Sequence, residues 1–153
     1  METEKRWITS RLLFTAVSEQ LAAHRQAAFT VTGMSMWPFL CHGRDQVVVE
    51  EPGPLRRGDI VLYRVSEQKY ILHRITRLTG TTFQTTGDGN FARDPELPRS
   101  CIVARVCSVV RKGRTIACSS FRWRALSRLW MALFPLRPVM FSAWFAVRKY
   151  IRR

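Results

Sequence analysis

The middle of the chain consists of short segments that are typical of β-strands, with no helical pattern between them. Each segment is rich in β-branched or aromatic residues and ends at glycine, proline or a Gly-Asp cluster. In order they are AAFTVTG, DQVVVEEP, GDIVLYRV, KYILHRITRL, TFQTTGDG and SCIVARVCSVVRKGRTI, the last with two strands around a Lys-Gly turn. Consecutive strands without crossover helices pair antiparallel. The sequence therefore predicts a mainly β fold, a small antiparallel β-barrel or curled sheet of five or six strands.

Helical patterns flank the β region, so the chain divides into residues 1–28, 29–118 and 119–153. The first part is predicted to be an amphipathic helix, because its apolar residues recur at helical spacing. These residues are Trp7, Ile8, Leu12, Leu13, Val17 and Leu21. Charged residues interrupt the segment every few positions, so we expect neither a cleavable secretory signal nor a membrane span there.

The third part, residues 119–153, is a basic and aromatic tail. Residues 97–153 contain 13 Lys or Arg and no acid, whereas residues 1–96 contain 12 basic and 11 acidic residues, which together make the 25 and 11 of the chain. Such asymmetry predicts an anionic partner. The tryptophans cluster with apolar residues, which favours an anionic membrane surface and makes nucleic acid an unfavoured partner.

How this tail meets a membrane is left open by its sequence. The segment from Trp130 to Val147 carries one charge, Arg137, and is interrupted by Pro135 and Pro138. Prolines break or kink a spanning helix and a central arginine is costly there. An interfacial or re-entrant element is therefore favoured over a true span. A helical pair packed on the β domain is the soluble alternative.

The cysteines show no spacing that indicates a metal or a redox pair. They are Cys41, Cys101, Cys107 and Cys118, and none belongs to a CxxC motif. We interpret them as reduced thiols, which favours a reducing compartment. With no nucleotide-binding loop and no metal-ligand spacing, we expect no cofactor and no metal.

One hydroxyl, Ser35, stands in the otherwise apolar stretch GMSMWPFL. A serine becomes a nucleophile only when a base removes its proton. The chain has three histidines, of which His24 lies on the predicted helix and His42 in a turn-like segment, LCHGRD. His73 lies inside the strand pattern YILHRIT, which can aim its ring in a fixed direction. From these residues alone a structural role for His73 is favoured over a catalytic one, because a lone histidine in a strand is more often structural.

Four motifs taken together resemble the serine peptidases of the signal peptidase I and SOS-repressor type. They are GMSMWP, LRRGDIVLYR, ILHRI and TTGDGNFARD, which occur in the order and spacing of that family between about residues 30 and 112. The resemblance implies an antiparallel peptidase β domain. It is closest to the branch that uses a histidine base, as in the endoplasmic-reticulum and sporulation-type signal peptidases.

Carried over to this chain, the resemblance implies Ser35 as the nucleophile and His73 as the general base. It places the aspartate that orients the histidine at Asp94, with Asp88 as a structural aspartate and the alternative orienting residue. Lys69, four residues before His73, is a weaker candidate base because it lies about 13 Å further along a strand.

The residues around the serine are expected to form the substrate site. Gly33 permits close approach of the chain, and the Ser35 amide is a candidate oxyanion donor. Met34, Met36 and Trp37 are expected to wall a cleft for an extended peptide, with Met36 packed beneath the site. The resemblance also implies small residues at the cleavage position.

The sequence therefore predicts a serine endopeptidase of signal-peptidase type that removes a leader or signal segment from a peptide or protein precursor. It departs from the family in having neither an N-terminal span nor a DNA-binding domain. We expect a membrane-associated or cytoplasmic protein. The alternative is a non-catalytic binding module on the same fold, which holds lipid or nucleic acid through its basic C-terminus.

Overall fold

The computed structural model describes residues 2–151, and of residues 2–10 only the backbone. Within residues 2–151 the chain forms, in order, one α-helix, eight strands and two further α-helices. The helices are α1 (Glu2–Ala22), α2 (Phe121–Ala132) and α3 (Arg137–Ile151), and the strands are β1 (Ala27–Thr30), β2 (Asp45–Glu50), β3 (Ile60–Ser66), β4 (Lys69–Leu78), β5 (Thr82–Thr86), β6 (Leu97–Pro98), β7 (Ile102–Arg111) and β8 (Arg114–Ala117).

The strands form one antiparallel sheet in the order β1-β2-β7-β3-β4-β5-β6, with β8 also paired to β7. The predicted mainly β fold is confirmed. The sheet is not closed into a barrel, because the strand order within residues 2–151 ends at β1 on one side and at β6 on the other. The predicted count of five or six strands is too low. The β6 strand has only two residues, too few to produce a recognisable pattern.

The sheet buries side chains on both of its faces. One cluster contains Leu62 and Ile60 of β3 together with Met36 from the serine turn, and α1 adds Val17 and Leu21 to it. A second, smaller cluster contains the alternate residues of β3 and their neighbours: Val61, Tyr63, Ile75, Phe83 and Ile102. Because successive side chains of a strand point to opposite faces, β3 and β4 contribute to both clusters.

The N-terminal helix packs on the sheet through part of its predicted apolar stripe. Val17 and Leu21 are buried, and Leu13 is partly buried against the same cluster, whereas Leu12 is exposed. The side chains of Trp7 and Ile8 lie outside the described residues. The stripe therefore contacts the core mainly in the last turns of α1.

The tail forms two helices joined by a short 3₁₀ turn, Phe134–Leu136. Pro135 lies in this turn and Pro138 lies in the first turn of α3, where a missing N–H costs little. No single helix among residues 2–151 is long and apolar enough to cross a membrane. The segments Phe121–Ala132 and Phe134–Ile151, bent by 59° relative to each other, meet the length and composition criteria only as a pair.

Candidate active site

Two strands and the segment after β5 bring His73 and Asp94 together. His73 lies on β4 opposite Val61 of β3. Asp94 follows β5 and is fixed by its backbone, because its amide donates to the Thr85 carbonyl at 2.9 Å and its carbonyl accepts from Gln84 Nε2 at 3.0 Å. The result is a distance of 2.6 Å between His73 Nδ1 and Asp94 Oδ2.

The Asp94 carboxylate is held by three donors that converge on one oxygen. Besides His73, Thr85 Oγ1 donates to Oδ2 at 2.7 Å and the Tyr63 hydroxyl at 3.2 Å. Burial alone would raise the pKa of Asp94, but the hydrogen bonds from His73, Thr85 and Tyr63 outweigh burial and leave the pKa below its usual value. Asp94 is therefore an ionised acceptor at neutral pH.

An ionised carboxylate can only accept hydrogen bonds, which determines the tautomer of the neutral His73 ring. Nδ1 carries the proton that it donates to Asp94. The lone pair is consequently on Nε2, the nitrogen that a base must offer to a substrate or nucleophile. The His73 side chain is only 7% exposed, so the ring is held by packing as well as by Asp94.

Ser35 shares a cleft with His73. The cleft is lined by Val31, Thr32, Ser35, Met36 and residues 70–73 of β4, and we refer to it as the serine cleft. The hydrogen bonds described for residues 2–151 include none between Ser35 and His73. Catalytic hydrogen bonds are often long before substrate binds and shorten in the complex. The arrangement therefore brings Ser35 and His73 to one cleft without a preformed hydrogen bond between them.

The turn that carries Ser35 leaves its amide free to donate. The Trp37 amide donates to the Met34 carbonyl at 3.1 Å, and the Leu40 amide to the Met36 carbonyl at 2.8 Å. Within the described residues, the Ser35 amide has no acceptor. An oxyanion site requires an unpaired N–H of this kind beside the reacting hydroxyl, and the Ser35 amide meets that requirement.

The other predicted site residues of this turn, Gly33, Met34 and Met36, differ in conformation and in exposure to solvent. Gly33 adopts a left-handed conformation with φ of +82°, and its amide donates to His42 Nδ1 at 3.0 Å. Met34 is largely exposed, whereas Met36 is buried in the core below the turn. Gly33 thus shapes the turn, Met36 anchors it and Met34 is available to a ligand.

The loop after β5 that contains Gly87, Asp88 and Gly89 supports the Ser35 turn directly, and we refer to it as the Gly-Asp loop. The Gly89 amide donates to the Ser35 carbonyl at 2.8 Å. A Cβ on Gly87 would lie 2.5 Å from the same carbonyl oxygen, and one on Gly89 would lie 3.0 Å from the Met34 and Trp37 carbonyls. The two glycines are therefore required for close contact between loop and turn.

Asp88, the alternative orienting residue, gives its carboxylate to Arg74. Arg74 donates from Nε to Oδ1 at 2.8 Å and from Nη2 to Oδ2 at 2.7 Å, and both side chains are 1% exposed. Arg74 also donates to the Gly58 carbonyl and to Ser127 of α2. This planar, two-point contact is the geometry that arginine favours with carboxylates, and it occupies Asp88.

Residues of α2 and α3 in the C-terminal tail also contact the Gly-Asp loop. Trp130 Nε1 donates to the Asp88 carbonyl at 3.1 Å. Arg137 is buried and donates to the carbonyls of Gly87 and Asn90, and its guanidinium lies 5.0 Å from the Trp130 ring centre. Burial lowers the pKa of Arg137, although Asp88 nearby raises it. Helices α2 and α3 thereby brace the loop that supports Ser35.

The remaining candidates lie away from the His73–Asp94 pair or have other partners. His24 is exposed and contacts Glu51 at 2.9 Å, and Lys69 is exposed at the start of β4. The four cysteines are free thiols, and burial raises the pKa of Cys118 to about 12. Residues 2–151 contain no cluster of three or more His, Cys, Asp or Glu that could hold a metal.

Sequence reasoning missed the polar side chains that hold the site together. Tyr63 and Thr85 bind Asp94, and Arg74 and Arg137 bind the Gly-Asp loop. Arg74 had a visible signal, since a charge at an inward position of an apolar strand needs a partner. Tyr63 and Thr85 had none, because their residue types are ordinary in strands.

Comparison with known proteins places the chain in a family. A model of the Peptidase S24-like family matches residues 6–86, about half of the chain, which include Ser35 and His73 but end before Asp88 and Asp94. None of the curated proteins compared with the chain matches it. The Peptidase S24-like match agrees with the motif resemblance and with the mainly β fold. The chain belongs to the Peptidase S24-like family and has a serine-peptidase-like fold.

Proposed function

We propose that this chain is a serine endopeptidase in which Ser35 is the nucleophile, His73 the general base and Asp94 the residue that orients the base. The observation that carries the proposal is the 2.6 Å contact between His73 Nδ1 and Asp94 Oδ2, on a histidine that lines the same cleft as Ser35. A nucleophile, a base and an orienting acceptor in this order are the parts of a serine hydrolase.

In the proposed reaction, His73 Nε2 takes the proton of Ser35 Oγ while the oxygen attacks the peptide carbonyl carbon. The Ser35 amide donates to the oxyanion that forms. The imidazolium, stabilised by Asp94, then gives its proton to the leaving amine, and the C–N bond breaks. A water molecule, deprotonated by His73, then attacks the acyl carbon. The bond from that carbon to Ser35 Oγ breaks, His73 returns the proton to Oγ, and the acid and the free serine are released.

The strand pairing favours an extended peptide as the substrate. The first residues of β4, from Lys69 to Arg74, pair with β3 on one side. On its other side, β4 pairs with β5 only from Arg74 onward, where Arg74 lies opposite Thr86. Among the described residues, the edge of residues 70–73 therefore has no strand partner on the β5 side, and these residues line the serine cleft. A peptide added as a strand there would bring a carbonyl to Ser35. We propose a leader or signal segment of a precursor as this peptide.

The first experiment is labelling of the purified protein with a serine-directed acylating probe at about pH 8, read by intact mass. We expect one adduct on the wild type, and none on Ser35→Ala or His73→Ala. Ser119→Ala and His24→Ala, which alter exposed residues outside the cleft, are the matched controls and should label like the wild type. An adduct that persists in Ser35→Ala, or a folded wild type that neither labels nor cleaves any peptide of a leader library, contradicts the proposal.

The second candidate function is binding through the basic tail to an anionic membrane surface. The family includes non-catalytic members, and the outward side of α3 exposes a set of apolar side chains next to Arg148 and Lys149. This set is Val139, Met140, Val147, Tyr150 and Ile151, and Leu136 of the preceding 3₁₀ turn is exposed beside it. Apolar side chains flanked by basic residues are typical of helices that lie in a membrane interface.

This candidate is tested with vesicles that contain anionic lipid. We expect wild type to bind and the bound fraction to fall as salt is added, because salt screens the charges. Val147→Asp should weaken binding, whereas Leu12→Asp on the exposed side of α1 should not. Equal binding to neutral and anionic vesicles, or equal loss in both variants, would argue against attachment through the tail.

A further inference from the structure

The turn that carries Ser35 is shared by two grooves. Ser35 and Met36 line the serine cleft, whereas Met34 and Trp37 line a second, open groove. The rest of the second groove comes from the loop after β5 and from α3: Gly89, Phe91, Phe141, Trp144, Phe145 and Arg148. We refer to it as the aromatic groove.

The α3 wall of this groove continues the inward stripe of the helix. Arg137 and Phe141 are buried against the loop, and Trp144, Phe145 and Arg148 follow at the spacing of the same helix face. Trp144 and Phe145 are nevertheless 51% and 59% exposed. The stripe is therefore covered in its first half and open in its second half, where it faces Met34 and Trp37 across the groove.

We propose that the aromatic groove is a subsite for a large apolar side chain of the peptide substrate, close to the bond that is cleaved. This inference rests on the proposed peptidase function and specifies its substrate. The groove encloses about 350 Å³, at the lower end of the range of small ligand sites. Because Met34 directly precedes Ser35, a side chain in the groove would lie within a residue or two of the scissile bond.

The charge of the groove determines which residues are favoured next to the apolar side chain in the substrate. Among the described residues that line the groove, Arg148 alone is charged, and the surrounding tail carries only basic charges. An acidic residue beside the apolar side chain is therefore favoured and a basic one is disfavoured. The expected substrate segment combines an aromatic or large aliphatic residue with an acidic neighbour.

A peptide side chain fits this groove better than a lipid surface does. The groove is concave, and Met34, Trp37 and Phe91 on its second wall belong to the turn and the loop that form the active site. The outward apolar set of α3 used for the membrane proposal is separate from it. Six of the groove residues lie beyond the region matched by the family model, which ends at residue 86. The groove is therefore formed mainly by the tail and by the loop after β5.

The test uses two serine-directed peptidyl phosphonate probes that carry the same small side chain at the phosphonate and differ only in a benzyl or a methyl side chain on the adjacent residue. We expect wild type to react with the benzyl probe at least about tenfold faster, since an apolar pocket discriminates by this order. Trp144→Ala should lose most of this preference, because its rate with the benzyl probe falls toward its rate with the methyl probe. The matched control is Val147→Ala on the outward side of α3, which should keep the preference. Equal rates in wild type, or an unchanged ratio in Trp144→Ala, would overturn the subsite.

A binding measurement separates failure of the subsite from failure of the peptidase. Fluorescently labelled decapeptides with a central Phe-Asp or Ala-Asp are titrated onto Ser35→Ala, with and without Trp144→Ala, and followed by anisotropy. Tighter binding of the Phe peptide that Trp144→Ala abolishes supports the groove even if no probe labels wild type, in which case only the peptidase proposal fails. Absence of selectivity in both labelling and binding overturns the groove. Loss of vesicle binding in Trp144→Ala with unchanged peptide selectivity also overturns it and assigns Trp144 to the bilayer.

Discussion

His73 and Arg74 are neighbours in β4, yet their side chains face opposite sides of the sheet. They differ in how far their contacts are closed to solvent. Each binds an aspartate of the segment after β5: Asp94 contacts His73 and Asp88 contacts Arg74. In the Arg74–Asp88 pair both side chains are 1% exposed, whereas the Asp94 side chain is 20% exposed. The same loop therefore supplies a closed ion pair on one face and a partly open histidine–carboxylate hydrogen bond on the other.

The difference between the two pairs is chemical as well as geometric. Arginine stays protonated, so the Arg74–Asp88 pair is a permanent link between strand and loop. Histidine can take and give a proton near neutral pH, so a histidine whose ring is oriented by an aspartate can serve as a base and then as an acid. One pair holds the Ser35 turn in place through the loop, and the other faces the cleft in which Ser35 lies.

The largest expected effect comes from exchanging the two carboxylates for amides one at a time. Asp94→Asn should lower the rate of Ser35 labelling by about 10⁴-fold, the loss seen when the aspartate of a Ser-His-Asp triad is neutralised. Asp88→Asn should instead lower the free energy of unfolding by about 3–5 kcal/mol, because Arg74 then lacks its buried partner. Labelling rates and urea denaturation of both variants measure the two effects. A stable Asp88→Asn variant that fails to label would reverse the assigned roles.

Replacing both members of the buried pair sharpens the comparison. Arg74→Met alone should cost about 3–5 kcal/mol of unfolding free energy, since it leaves the Asp88 charge unpaired. The double variant Arg74→Met, Asp88→Leu should recover much of this loss, because no buried charge is left without a partner. A double-mutant cycle in urea denaturation measures the coupling. If the two losses simply add, the pair does not stabilise the loop as a unit.

A smaller effect is expected from the hydroxyls that hold Asp94. Thr85→Val removes the 2.7 Å hydrogen bond and should cost about 1.5–3 kcal/mol, as is usual for hydrogen bonds to charged groups. Tyr63→Phe removes the longer 3.2 Å contact and should cost less. Both should also slow Ser35 labelling, because they loosen the residue that orients His73. A larger loss in Tyr63→Phe than in Thr85→Val would contradict the order derived from the distances.

The smallest effect is a pH dependence of stability. The folded pKa of Asp94 lies below its ordinary value, so its contribution is fully present above the unfolded pKa of about 3.9 and is lost as pH falls through the folded pKa. Between pH 7 and pH 3, wild type should therefore lose more unfolding free energy than Asp94→Asn does. Urea denaturation at a series of pH values measures this difference. Parallel curves for the two proteins would show that Asp94 is not stabilised as a carboxylate.

Much of the local structure could be predicted because its signals are local. The β-branched segments and their Gly and Pro breaks contain every strand of residues 2–151 except β6, although the predicted count of five or six was too low, and the helical spacing in the first 22 residues predicted α1. Ser35 and His73 were selected as a solitary hydroxyl in an apolar turn and a histidine inside a strand. The preference for Asp94 over Asp88 came from the family resemblance.

The contacts that complete the site could not be predicted, because they join residues far apart in the chain. Tyr63 of β3 and Thr85 of β5 both donate to Asp94 in the segment after β5. The tail residue Arg137 donates to the carbonyl of Gly87, 50 residues earlier. Propensity and periodicity describe neighbours along the chain and carry no information about such pairs.

The sequence by itself determined the mainly β architecture, the amphipathic first helix, the basic tail and the residue types available for chemistry, since these follow from local propensity and charge. Only the tertiary structure decided which aspartate faces His73, that Arg74 is neutralised by Asp88, and that α3 stands beside the Ser35 turn with half of its inward stripe open. The physical reason is that strand alternation assigns a side chain to a face, whereas sheet register and helix docking decide what it meets there.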